Sequence, residues 1–249
     1  MADTPKPVYL IAGGRGMERR KGPDPLLQAA LGLNRASGER AGRAPEHRPS
    51  VAYVGAASGD NAVFRVWVTR LFQKAGAGAV TLAPLCGKRA DPRKARAVLE
   101  GADIVFVSGG DVEEGMRVLE ETEMIEPLRL LYRQGKPFFG ISAGSIMLAR
   151  QWVRWRDPHD DATAELFPCL GIARVFCDTH GEGDGWEELQ ALVRLAPPRA
   201  IGHGIVSGSA LVVEPGGKVS ALGGEIDRFA RRAGEAARIE SLREGRPAH

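Results

Sequence analysis

No stretch of the 249 residues approaches eighteen uncharged apolar positions, which excludes a membrane-spanning helix. Cysteine is scarce: Cys86, Cys169 and Cys177 are an odd number with no framework spacing, so disulfides are not expected. Charge of one sign is missing too. The 34 Lys+Arg face 31 Asp+Glu, and the net charge is only +3. The arginines are scattered through helices and loops, whereas a nucleic-acid surface concentrates them on one stripe. The opening Met1-Ala2-Asp3-Thr4-Pro5-Lys6-Pro7 lacks the n-region and h-region of a signal peptide, which makes a reducing cytoplasm the expected location. What remains, 43% hydrophobic and 26% charged, suits a soluble globular protein that buries a full core.

Short apolar runs alternate with helical stretches. Val8–Ala12, Val51–Gly55, Ala79–Leu82, Asp103–Val107 and Pro137–Ile141 read as strands, most of them followed by glycine or small polar residues. Between them, Leu26–Leu33, Ala62–Lys74, Pro92–Glu100 and Val112–Arg133 carry helical patterns. Arg35–Pro49, rich in Arg, Gly, Glu and Pro, reads as an exposed connection. Such alternation predicts an α/β fold, a mostly parallel sheet with helices on both faces. After about residue 165 the strands shorten: Ile172–Phe176, Ala200-Ile201, Ala210–Val213 and Val219–Leu222. Without repeats or a dividing linker, residues 1–249 are expected to form one domain.

The strongest chemical signal is Gly140-Ile141-Ser142-Ala143-Gly144, between a strand and the helical run Ser145–Arg150. Glycines permit a sharp turn that holds Ser142 at its tip, while the following helix N-terminus supplies amides for an oxyanion, that of Ala143 first. A loop that merely needs small residues is the bland alternative. A serine needs a base. Of the five histidines, His47 lies in the Arg-rich connection, His249 is terminal, His159 sits in a polar turn and His203 lies between glycines. His180 follows a strand directly, at the edge where α/β sites assemble. Ser108-Gly109-Gly110-Asp111 suits a second oxyanion donor, or a plain turn with Asp111 as N-cap. Gly13-Gly14-Arg15-Gly16 lacks the third glycine of a dinucleotide fingerprint, and Cys177 with His180 lacks a second metal-binding pair. Neither a cofactor nor a metal is expected.

Together these pieces resemble the dipeptidase E (aspartyl dipeptidase) and cyanophycinase family of serine peptidases. The resemblance runs from Gly13-Gly14 through Ala57-Ser58-Gly59-Asp60, Ser108–Asp111, the Ser142 elbow and Asp178-Thr179-His180 to Ala210–Val213. It implies a class I glutamine-amidotransferase-like fold, Ser142 as nucleophile, His180 as base, and the amides of Ala143 and Gly110 as oxyanion donors, with Gly109 beside the substrate. The family's acid, fifteen residues after the serine, falls on Asp157. Glu182, two residues after His180, is the rival, placed as in the H-x-E arrangement of class I glutaminases. Asp157 is preferred on spacing. The family usually places arginines after the histidine to hold an acidic side chain, and Trp186 stands about where one is expected. Here the loop reads Gly181-Glu182-Gly183-Asp184-Gly185-Trp186-Glu187-Glu188. An acidic loop repels a carboxylate, so Trp186 is expected to offer an apolar or cation–π face instead.

The expected activity is hydrolysis of short peptides or isopeptides through an acyl-enzyme, with a peptide substrate, no nucleic-acid or membrane partner, and a homodimer left open. An α/β-hydrolase esterase and a catalytically silent binding module are the competing readings. The esterase fits less well, because its histidine normally comes near the C-terminus and no H-G-G-G run is present.

Overall fold

The structure, a computed structural model, describes residues 4–13, 22–33 and 48–245. Most of the connection expected over Arg35–Pro49, together with Gly14, Arg15, Gly16, His47 and His249, lies outside those residues. Five short strands form the parallel part of the main sheet: β1 (Val8–Ile11), β2 (Val51–Val54), β3 (Val80–Ala83), β4 (Ile104–Val107) and β5 (Phe138–Ile141). All residues of β2, β4 and β5 are buried. Burial on both faces is why these runs are continuously apolar rather than alternating. They pair in the order β3-β2-β4-β5-β1, every pair parallel.

Helices α1 (Pro25–Ala30), α2 (Ala62–Ala75), α3 (Pro92–Gly101), α4 (Val112–Glu121) and α5 (Ile125–Arg133) cover the two faces. Asp24, Asn61, Asp91 and Asp111 cap the first four by accepting from first-turn amides. The helical pattern expected over 112–133 is two helices, broken where Glu123 takes φ +56°. Strand alternation divides the core. Val105 and Val107 face one apolar cluster, whereas Ile104 and Phe106 face the other. In the second cluster Phe72 of α2 packs edge-on against Phe106, with ring centroids 4.7 Å apart.

β10 (Ala210–Val213) and β11 (Val219–Leu222) extend the main sheet beyond β1 in antiparallel fashion, giving seven strands. Past β5, α6 (Ala143–Leu148) leads to the hairpin β6 (Gln151–Trp155) and β7 (Ala164–Pro168). A second sheet follows, built from β8 (Phe176–Thr179), β9 (Ile201–Ile205), β12 (Ile226–Arg232) and β13 (Glu235–Leu242), with α7 (Glu187–Leu195) between β8 and β9. Its order is β13-β12-β9-β8, parallel only between β8 and β9. The strand expected at Ile172–Phe176 starts only at Phe176. Before it, Gly171 and Ala173 donate their amides to Ala149 and Leu148 instead of to a strand. One buried cluster runs from Val8 and Leu10 to Cys177, Ile226 and Leu242, so both sheets close on a common core. No helix among the described residues is long and apolar enough to cross a membrane. The parallel strands β1, β4 and β5 end side by side, and β8 delivers its own end to the same place.

Candidate active site

Ser142 terminates β5 at φ +56°, ψ −129°, a region that costs a non-glycine residue about 1–3 kcal/mol. The surroundings hold it there. Its N–H donates to the Ile11 carbonyl at 2.9 Å, and the buried Ser145 hydroxyl donates to that same carbonyl at 2.9 Å. The two elbow glycines are steric requirements. A Cβ on Gly140 would stand 2.6 Å from the Gly144 backbone, and one on Gly144 would stand 2.1 Å from the Val107 carbonyl oxygen.

His180 follows β8 in a left-handed conformation, φ +54°, with its N–H on the Ile205 carbonyl at 3.2 Å. Its Nε2 lies 2.8 Å from Ser142 Oγ. Partial burial of the ring lowers its pKa, and the charge of Glu182 pushes the other way. The lowered pKa keeps the imidazole neutral near pH 7, as a general base requires. Cys177 turns into the core toward the Ser145 carbonyl while His180 turns to Ser142, so these two do not face a common ion.

Of the two carboxylates, the structure brings Glu182 rather than Asp157 to this histidine. Glu182 stands in the 3₁₀ turn that His180 caps, and the charges of the two residues interact. Burial opposes ionisation of Glu182, but hydrogen bonds from Ser207 and from its own amide, with the charge of His180, together outweigh it and hold the carboxyl below the usual range. The expectation for Asp157 is corrected. It lies exposed in the turn between β6 and β7, where Oδ1 accepts the His159 N–H at 3.0 Å and its own N–H is taken by Thr163 Oγ1. The carboxylate organises its own turn, and no described hydrogen bond or charge interaction joins it to His180.

Gly109 lies against Ser142: a Cβ there would stand 3.1 Å from Ser142 Cβ and 3.6 Å from its Oγ. Gly110, at φ +143°, packs so closely on the preceding loop that a Cβ would fall 1.9 Å from the Ala57 carbonyl oxygen. The amides of Gly110 and Ala143 donate to no carbonyl among the described residues. Trp186 is also corrected. Only 2% exposed, it donates its indole N–H to Asp227 at 2.9 Å and lies over Gly204 and Gly181. Its face belongs to the second sheet's core and is closed to a substrate. Sequence reasoning missed Ser145 and Ser207. The small polar residue three positions after the nucleophile was the only sign of the first, and Ser207 acts through its backbone N–H as well as its side chain.

A model of peptidase family S51 matches residues 39–220 of this chain. A peptidase from an acI-B1 Actinobacterium has a similar structure, with TM-score 0.69 over 98% of both chains at 17% sequence identity. A putative peptidase E protein from Listeria monocytogenes EGD-e gives TM-score 0.60 over 88% of this chain and 98% of that one, at 14% identity. The pyridoxal 5'-phosphate synthase subunit PdxT of Geobacillus stearothermophilus is 29% identical over 147 residues, 58% of this chain and 68% of its own. The family match spans the Gly109-Gly110 loop, the Ser142 elbow and His180 together. The chain belongs to peptidase family S51, on a class I glutamine-amidotransferase-like fold, and is a serine-type peptidase.

Proposed function

We propose that the protein hydrolyses short peptides through an acyl-enzyme built on Ser142, His180 and Glu182. Ser142 Oγ attacks the scissile carbonyl carbon as its proton passes to His180 Nε2. The carbonyl π-pair moves onto oxygen, which accepts from the amides of Ala143 and Gly110. Collapse breaks the C–N bond, and His180 returns the proton to the leaving amine. Water then attacks the ester with the same histidine as base, releasing the acid and restoring Ser142. Glu182 orients the imidazole and stabilises its protonated form. No cofactor takes part in these steps, and a cytoplasmic peptide pool is the proposed source of substrate.

The observation that carries this reading is the 2.8 Å contact of Ser142 Oγ with His180 Nε2, from a serine held in a conformation that costs energy. Strain of this kind concentrates at working sites. A fluorophosphonate probe tests it: labelling is expected on the wild-type protein and absent from Ser142→Ala. A wild-type protein that resists the probe and cleaves no peptide in a dipeptide and amino-acyl anilide screen would be a silent binding module instead.

A further inference from the structure

We propose that the Ser108 hydroxyl is a positioning group that keeps the Gly109–Gly110 peptide turned with its N–H toward Ser142, resting on the reading of Gly110 as an oxyanion donor. A peptide unit is planar, and its C=O and N–H point in opposite directions. Whatever fixes the Gly109 carbonyl therefore fixes the direction of the Gly110 N–H.

Both ends of this loop are tied down, one to the last residue of β2 and the other to the turn after it. The Ser108 N–H donates to the Val54 carbonyl at 3.0 Å, and the Asp111 N–H donates to the Ala57 carbonyl at 2.8 Å. Between those anchors the amides of Gly109 and Gly110 donate to no carbonyl among the described residues. With no Cβ on either side, the peptide that joins them is the one free to rotate. Among the described residues its carbonyl accepts one hydrogen bond, from Ser108 Oγ at 3.3 Å.

Ser108 is fully buried, with a chain of hydroxyls behind it. Its Oγ lies 3.3 Å from Ser58 Oγ, which lies 3.4 Å from the Tyr53 hydroxyl and donates to the Gly55 carbonyl at 3.1 Å. Each hydroxyl carries one hydrogen. Ser58 gives its hydrogen to Gly55, and Ser108, which also contacts the Tyr53 hydroxyl, gives its own to Gly109. The oxyanion hole is thereby formed before substrate arrives.

The test is Ser108→Ala, with steady-state kinetics on the best peptide substrate and binding of a peptide boronate that forms a tetrahedral adduct with Ser142. The expected result is a fall in kcat on the order of 10- to 100-fold, short of the loss of a whole oxyanion donor, with KM within about twofold. Boronate affinity should fall by the same factor as kcat/KM, while binding of the cleaved product is unchanged. Ser108→Thr, which keeps the hydroxyl, should recover most of the loss. Tyr53→Phe keeps the ring packing and should lower kcat in the same direction by less. Should Ser108→Ala fail to fold, Tyr53→Phe decides, and wild-type kinetics there would overturn the proposal. Wild-type kcat and boronate affinity in a folded Ser108→Ala, or a loss confined to KM, would also overturn it while the serine mechanism stands. A wild-type protein that the fluorophosphonate cannot label would overturn both.

Discussion

Glu182 Oε1 accepts the Ser207 N–H at 3.1 Å, which ties the turn after His180 to the turn after β9. That second turn is anchored on β1: the Gly208 N–H donates to Gly13 at 2.9 Å, and the Ala12 N–H donates to Ser209 at 3.1 Å. β1 in turn holds Ser142 through the Ile11 carbonyl. Glu182, His180 and Ser142 thus share one backbone frame.

Glu182→Gln is therefore expected to lower kcat on the order of 10²- to 10⁴-fold, as loss of the orienting acid does in serine triads. Asp157→Asn should stay within about twofold. Glu182 raises the pKa of His180, so its neutralisation makes the imidazolium less favourable. The acid limb of the kcat/KM profile should then move to lower pH in Glu182→Gln. A large loss in Asp157→Asn with little in Glu182→Gln would return the acid to Asp157 and imply that the hairpin turn moves on substrate binding.

Asp178, two residues before His180, gives the protein a pH-dependent stability. Burial first, and then the charges of Glu188 and Asp184, push its carboxyl up to about 7, against hydrogen bonds from the Thr179 and Leu189 amides. An acid raised in the fold binds more protons folded than unfolded between its two midpoints. Its stabilising contribution is whole below the unfolded value near 3.8 and is lost as pH rises toward 7. The full difference is on the order of 4 kcal/mol. Asp178→Asn, neutral at every pH, should gain Tm relative to wild type progressively between about pH 4 and pH 7 and level off above that. His203, buried and held at about 4, titrates in both proteins and cancels from the difference. A Tm difference that does not change with pH would show that Asp178 is ionised in the fold throughout.

Substrate preference follows from which cations are engaged. Arg154 and Arg156 both pair with Glu165, and the loop after His180 exposes Glu182, Asp184 and Glu187. A carboxylate side chain brought beside that loop loses water and meets acids. The missing charge-assisted hydrogen bonds amount to about 1.5–3 kcal/mol. Leu-, Phe- or Arg-headed peptides should accordingly exceed Asp-headed ones in kcat/KM by about tenfold or more. A clear preference for Asp would place a cation from another segment in the site.

The elbow was legible because each glycine answers a local demand. Gly140 and Gly144 touch each other and the end of β4, so the motif states its own geometry. His180 was legible from its place just past a strand. The choice between Asp157 and Glu182 was not, because spacing along the chain favoured Asp157 whereas the fold sets Glu182 beside His180. Trp186 was misjudged for a similar reason. Its burial depends on Gly204 and on Asp227, 41 residues away, and the loop around it is acidic. The hairpin β6–β7 went unseen because its strands are largely half-buried and carry Arg154 and Glu165 among the apolar residues, with Val153 alone fully buried in β6. β13 escaped as well: it is an edge strand whose polar and small residues repeat without a clean alternation.

The most direct measurement compares turnover in Ser142→Ala, His180→Ala and the double variant on one peptide substrate. If Ser142 and His180 act in a single step, each change alone should lower kcat on the order of 10⁴- to 10⁶-fold, and the double variant should lose little more. Losses that multiply in the double variant would show that the 2.8 Å contact between them is not the one through which the proton moves.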